Sequence, residues 1–261
     1  MVENLFKACV QAIEKKILIE RANSADKEFH FQNWIRDRIK DTGVNFDAPG
    51  RNSFPDFLFV DTPIGFEVKG LAYPGRDKTY DGNSQVPKGL HNGREIFYIF
   101  GRYPKQPDGN KYPVLDLIIS QGSFLNADST YTHQNKNAKG FGSYGDIMIR
   151  DRKMYVIPTP FSLADGLAHN YTLILDAKKS LGDEFICVGE LARKEADNLL
   201  TSYSFNLKTN EILVATEPNV NAGKEHFFKA WRLKHQGGDA VSMRALTAII
   251  EELENLPEEN E

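Results

Sequence analysis

The chain has 261 residues, 41% hydrophobic and 26% charged, with a formal net charge of -4. That is enough apolar material to bury a substantial core as one large domain, and it excludes a disordered or fibrous class. The charge is uneven: residues 251–261, "EELENLPEENE", hold six glutamates and no basic residue, so the remainder carries +2 and the end reads as a solvated acidic tail.

The opening "MVENLFKACVQAIEKK" mixes charges among its apolar residues and holds no long uncharged run, which points to a cytoplasmic protein with no membrane partner. Cys9 and Cys187 lack metal-type spacing and are too few for a disulfide framework, so both are expected as buried thiols. Leu5, Phe6, Cys9, Val10, Ile13 and Ile17 repeat with helical spacing and predict a first helix. A second is expected from about Ser24 to Lys40, capped by Ser24 or Asp26 and burying Phe31, Trp34, Ile35 and Ile39.

"FPDFLFVDTPIGFEVKG", residues 54–70, reads as two strands around a tight turn. A polar loop to residue 94 follows, then strand-like "EIFYIFGRY" and "YPVLDLIIS", then a second polar loop over residues 121–146. Further strand candidates are "KMYVIPTP", "YTLILDA", "EFICVGEL" and the pair "SYSFNL" and "EILVATE". "DAVSMRALTAIIEELENL" predicts a last helix, apolar at Val241, Leu246, Ile249, Ile250 and Leu253. The expected class is α+β or α/β, a mixed central sheet with helices on its faces.

Between Lys69 and Lys111 there are eight Lys or Arg against four Asp or Glu, a local basic surface on an acidic chain. Both long loops mix basic residues with Asn, Gln, Ser, Thr, Tyr and His, which hydrogen-bond phosphates and base edges, although ordinary polar loops have a similar composition. Structureless stretches of that length in a compact domain are usually functional or disordered.

The hairpin carries the sharpest chemistry. Side chains two apart in a strand share a face, so Glu67 and Lys69 point one way while Phe66 and Val68 point the other. With Val60 facing Gly65, Leu58 would lie opposite Glu67 and Asp56 opposite Lys69, giving one cluster of two carboxylates and a lysine. Neighbouring carboxylates repel unless a cation sits between them, and Mg²⁺ is a hard cation that prefers oxygen ligands. A lysine beside such an ion can help to deprotonate a water that attacks a phosphodiester. The bland alternative is a plain cross-strand ion pair.

Pro55-Asp56, ten intervening residues and Glu67-Val68-Lys69 resemble the signature of the PD-(D/E)XK nuclease superfamily, over roughly residues 25–120. The chain most resembles a type II restriction endonuclease. The resemblance implies a restriction-endonuclease-like core in which Asp56 and Glu67 bind Mg²⁺, the Val68 carbonyl completes the protein ligands and Lys69 serves the water or the leaving charge. Members of the superfamily often supply an acidic residue from the preceding helix, for which Glu28 is the candidate. Glu28 shares a helical stripe with Phe31 and Ile35, and a helix-start glutamate favoured by the macrodipole is the alternative.

Gln85, Lys88, His91, Asn92 and Arg94 in the first loop are nominated as DNA contacts. Tyr131, His133, Gln134, Asn135, Lys136, Asn137 and Lys139 are candidates for groove readout in the second. Arg102 is read as an outward-facing strand charge, and His133 or His226 as a surface residue. "GFGSYG" lacks the lysine and helix start of a phosphate loop, so no nucleotide cofactor is expected. In "HFFKAWRLKH", Phe227, Phe228 and Trp231 are expected in the core rather than stacked on bases.

The expectation is thus a single nuclease domain, with the catalytic core at about 25–120 and DNA-binding and dimerisation elements in 121–250. Its function would be Mg²⁺-dependent, site-specific cleavage of double-stranded DNA, with a homodimer matching a palindromic target. The alternatives are a structure-specific repair nuclease of the same superfamily and a non-catalytic DNA-binding protein.

Overall fold

The computed structural model describes residues 1–21, 29–50, 53–73, 80–81, 86–106, 109–127, 138–141, 143–144, 147–150, 153–156, 171–206, 208–209 and 211–236. Helix α1 spans Val2–Glu14 and α2 spans His30–Asp41. The periodicity works as expected: Leu5, Phe6, Cys9 and Val10 of α1, and Phe31, Trp34, Ile35 and Ile39 of α2, are all buried in one cluster. Ile17 lies beyond the end of α1 and is exposed, but its carbonyl accepts the Trp34 indole N–H at 2.9 Å and so ties the two helices together. The anticipated caps Ser24 and Asp26 lie outside the described residues.

A mixed sheet organises the fold, which is α+β. Its nine strands are β1 (Phe46–Asp47), β2 (Phe57–Phe59), β3 (Ile64–Tyr73), β4 (Leu90–His91), β5 (Arg94–Pro104), β6 (Asp116–Gln121), β7 (Tyr171–Asp176), β8 (Phe185–Lys194) and β9 (Glu225–Leu233). The order is β8-β9-β7-β6-β5-β3-β2-β1, with β4 also on β5. β3 and β5 run parallel from Ile64↔Glu95 to Tyr73↔Pro104, and β6 and β7 are parallel as well; the other pairs are antiparallel. A central strand covered on both faces should be continuously apolar, and β5 is: Ile96 to Phe100 are all buried.

Alternation along the strands sends Phe57, Phe66, Val68, Phe97 and Ile99 to the side carrying α1 and α2. Leu71, Tyr98, Phe100, Ile118 and Ile174 go to the other side, where they meet Phe124 and Leu125 of a one-turn helix, Gly122–Leu125. On the α2 side Gly70 pairs with Gly101, and a Cβ on Gly101 would overlap the Phe31 ring. That dip seats α2 against β3.

Several sequence expectations change. "HFFKAWRLKH", not among the strand candidates, forms β9: Phe228 and Ala230 alternate inward, Trp231 is half-buried against the helix-side cluster, and Phe227 is 56% exposed rather than core. Cys9 is buried, but Cys187 is exposed. The first polar loop contains a hairpin, with Asn92 (φ 49°) and Gly93 (φ 75°) both left-handed between β4 and β5, as a two-residue turn of type I′ requires. The second loop holds the one-turn helix and a strand, Ala138–Phe141. "SYSFNL" and "EILVATE" do form a hairpin, Asn198–Asn206 with Glu211–Pro218. The C-terminal helix and acidic tail lie outside the described residues, among which no helix is long and apolar enough to cross a membrane.

Candidate active site

Register places the site. β2 and β3 pair Phe57 with Phe66 and Leu58 with Gly65, so Asp56 stands across from Glu67, not from Lys69 as expected. The turn keeps four residues but sits one residue earlier, Val60 to Pro63 instead of Asp61 to Ile64, where Arg94 bonds the Phe59 and Thr62 carbonyls, and so the register moves by two. Because the shift is by two residues, Glu67 and Lys69 still point away from the helices, while Asp56 lies at the strand edge within reach of α2.

β2 begins only at Phe57, so among the described residues the edge of β3 beyond Glu67 has no partner strand. The Asp56 carboxylate fills that place, its Oδ2 accepting the Val68 N–H at 2.7 Å. Its Oδ1 accepts a hydrogen bond from Gln32 Nε2 on α2 at 2.9 Å. The Lys69 ammonium lies 2.7 Å from Glu67 Oε1. Glu67 is buried, and its other oxygen, Oε2, has no hydrogen-bond partner. Burial, then the neighbouring Glu67, push the Asp56 carboxyl up to about 7 against the opposing effects of the Val68 N–H, Lys69 and Gln32. Two carboxylates held this way carry an excess of negative charge that a bound cation would offset.

Tyr98 lies beside Glu67 in the β3–β5 register, and its hydroxyl accepts the Lys88 N–H at 3.0 Å. The Phe54 ring sits 6.4 Å from Tyr98 and 5.0 Å from His91. The structure therefore ties the Lys88 backbone and the His91 ring to Tyr98 and Phe54, which neighbour Glu67 and Asp56 in register and in sequence. It places the other candidates elsewhere. Arg94 donates from Nη1 to the carbonyls of Phe59 and Thr62, at 2.7 and 3.0 Å, and so holds the hairpin turn. Asn92 is exposed in the β4–β5 turn. Arg102 faces inward and is ion-paired with the buried Asp116. His226 is paired with the buried Glu195 at 2.7 Å instead of standing free at the surface.

Glu28, Gln85, Tyr131, His133, Gln134, Asn135, Lys136 and Asn137 lie outside the described residues; Lys139 falls in the strand Ala138–Phe141, and its side chain is not described. Among the described residues no three His, Cys, Asp or Glu side chains converge as a metal-binding group. The residues that sequence reasoning missed are Gln32 and Tyr98. Gln32 could have been found: it is four residues after Glu28, one turn along the same helical stripe.

Scans against protein-family models, curated proteins and solved structures each return no match to this chain.

Proposed function

We propose that the chain is a Mg²⁺-dependent type II restriction endonuclease that hydrolyses phosphodiester bonds of double-stranded DNA at a specific sequence. The observation that carries this reading is the buried, unpartnered Glu67 Oε2 beside the Asp56 carboxyl, which immediately precedes the adjacent strand. An orphaned carboxylate oxygen is expensive to bury, and two carboxylates with a backbone carbonyl are the oxygen donors a hard divalent cation selects. Asp56, Glu67 and the Val68 carbonyl would hold Mg²⁺; in extended backbone a residue's N–H and C=O leave the same edge, so the Val68 carbonyl faces the Asp56 side. Bound there, the ion would supply Lewis acidity toward a phosphoryl oxygen and lower the pKa of a water.

The chain's own groups do the rest. Lys69 has three N–H donors, one of them directed at Glu67, which leaves donors for the attacking water or a phosphate oxygen. Gln32 and the Val68 N–H fix both oxygens of Asp56, so its rotamer is set before substrate arrives. Glu67 belongs to a packed strand and Asp56 immediately precedes another, with both its oxygens hydrogen-bonded, which suits a site needing sub-ångström placement. A palindromic duplex implies a two-fold assembly, so the enzyme would act as a homodimer.

The deciding experiment incubates the protein with phage-length DNA, with and without Mg²⁺, beside Lys69→Ala. Discrete fragments that require Mg²⁺ are expected, with the rate reduced about 10²–10⁴-fold in the variant. Diffuse or structure-dependent cutting would select a repair nuclease of the same superfamily. The close Lys69–Glu67 pair favours one further reading, a non-catalytic DNA-binding protein. That reading predicts intact DNA in every lane and binding that survives Glu67→Ala.

A further inference from the structure

Resting on the nuclease reading, we infer that the Pro87–His91 segment forms a second anion subsite beside the acidic pair, where the Lys88 ammonium and the His91 imidazole take a backbone phosphate neighbouring the one that is cut. Placement comes first. The Lys88 N–H is bonded to the hydroxyl of Tyr98, and Tyr98 is the direct neighbour of Glu67 across strands about 4.8 Å apart. Phe54, two residues before Asp56, touches His91 edge to face. The Lys88 backbone and the His91 ring are therefore tied, through Tyr98 and Phe54, to the two chain segments that carry Glu67 and Asp56.

Rigidity comes second. The Pro87 carbonyl accepts from Asn126 Nδ2 at 2.9 Å, and the Gly89 carbonyl accepts from the Ile96 N–H at 3.0 Å. Leu90 and His91 are in register with Glu95 and Arg94. The backbone on both sides of Lys88 is thus fixed, while its side chain is exposed and makes no ion pair among the described residues. Three other basic side chains on the neighbouring strands are already engaged: Lys69 with Glu67, Arg94 with two turn carbonyls and Arg102 with Asp116. A cation on an ordered backbone loses little entropy on capturing an anion.

The two donors also act on each other. Burial, then the nearby Lys88 ammonium, disfavour protonation of His91, a repulsion that a phosphate between them would reverse. Lysine is a point charge without the planar fork that reads a base edge, so the subsite should add affinity without sequence preference.

The test measures duplex DNA binding by fluorescence anisotropy across a salt series, with Ca²⁺ in place of Mg²⁺. It compares wild type, Lys88→Ala, Lys88→Arg and, as a control on the helix side of the sheet, Lys15→Ala. Losing one phosphate contact should reduce the slope of log K against log salt by about 0.9 in Lys88→Ala, equally for any duplex sequence. Lys88→Arg and Lys15→Ala should keep the wild-type slope. The fold uses the Lys88 backbone and not its side chain, so the melting temperature of Lys88→Ala should match wild type. A wild-type slope in Lys88→Ala overturns the subsite while leaving the nuclease reading intact. A wild-type protein that binds no duplex at all overturns both.

Discussion

Two buried ion pairs share one face of the sheet, and they are built differently. On β5 and β6, Arg102 directs Nε at Asp116 Oδ2 at 2.5 Å and Nη2 at the same oxygen, stacks its guanidinium over Tyr73, and leaves Asp116 1% exposed. On β3, Lys69 reaches one oxygen of Glu67 and the other has no partner, with a second carboxylate across the strand. The first pair is closed around its charges. The second has negative charge in excess and a free acceptor in a buried place, an arrangement that stability alone would not favour. The contrast separates charge that holds the fold from charge available to a ligand.

Melting curves of Arg102→Ala and Glu67→Gln, without divalent ions, test that separation. Removing Arg102 strands a buried Asp116 and should destabilise by about 3–5 kcal/mol, a fall in Tm on the order of 10 °C. Glu67→Gln removes one of two repelling carboxylates and leaves Lys69 facing Asp56, so its Tm should match or exceed wild type. If Glu67→Gln falls as far as Arg102→Ala, the Lys69–Glu67 pair is structural and the contrast collapses.

The same excess charge predicts an unusual pH dependence. The folded protein holds the Asp56 proton more tightly than the unfolded chain, whose aspartate has the ordinary value of 3.8. The resulting stability is fully present below that value and is lost as pH rises toward about 7, the reverse of a salt-bridged aspartate. Metal-free wild type should therefore lose stability relative to Asp56→Asn between about pH 4 and pH 7, by a few kcal/mol at most. Thermal melts across that range should show the two curves meeting at low pH and Asp56→Asn above wild type at pH 8. Curves that stay parallel would mean that Asp56 titrates normally and that the acidic pair has no charge to relieve.

How much of this was legible in the sequence follows from what each feature depends on. The apolar stripes of α1 and α2 and the two-residue alternation of Glu67 and Lys69 are local periodicities, and they emerged as read. The partner of Asp56 depended on the position of a turn, and a one-residue move of that turn, bonded by Arg94 from another strand, changes the register by two. The fates of Arg94, nominated as a DNA contact, and of Arg102, read as an outward-facing strand charge, were equally non-local: each is set by a carbonyl or carboxylate partner distant in sequence. β9 was missed because its aromatic and basic residues obscured the inward alternation of Phe228 and Ala230. The Asn92-Gly93 turn was a local signal that went unused.

The smallest expected effect concerns what holds the open pair open. Gln32 donates to Asp56 Oδ1 from a helix seated in the Gly70–Gly101 dip, so α2 sets the carboxylate that the cation would meet. Gln32→Leu removes that donor but keeps a side chain of similar length, while Gln32→Glu replaces it with a third carboxylate. Outer hydrogen bonds to metal ligands are typically worth 10–100-fold in affinity. Calorimetric titration with Ca²⁺ should show about tenfold weaker binding in Gln32→Leu, with Tm little changed because Asp56 keeps its bond to the Val68 N–H. Equal Ca²⁺ affinity in wild type and Gln32→Leu would make the contact incidental packing. Tighter binding in Gln32→Glu would show that carboxylate number, rather than a fixed Asp56 rotamer, limits the site.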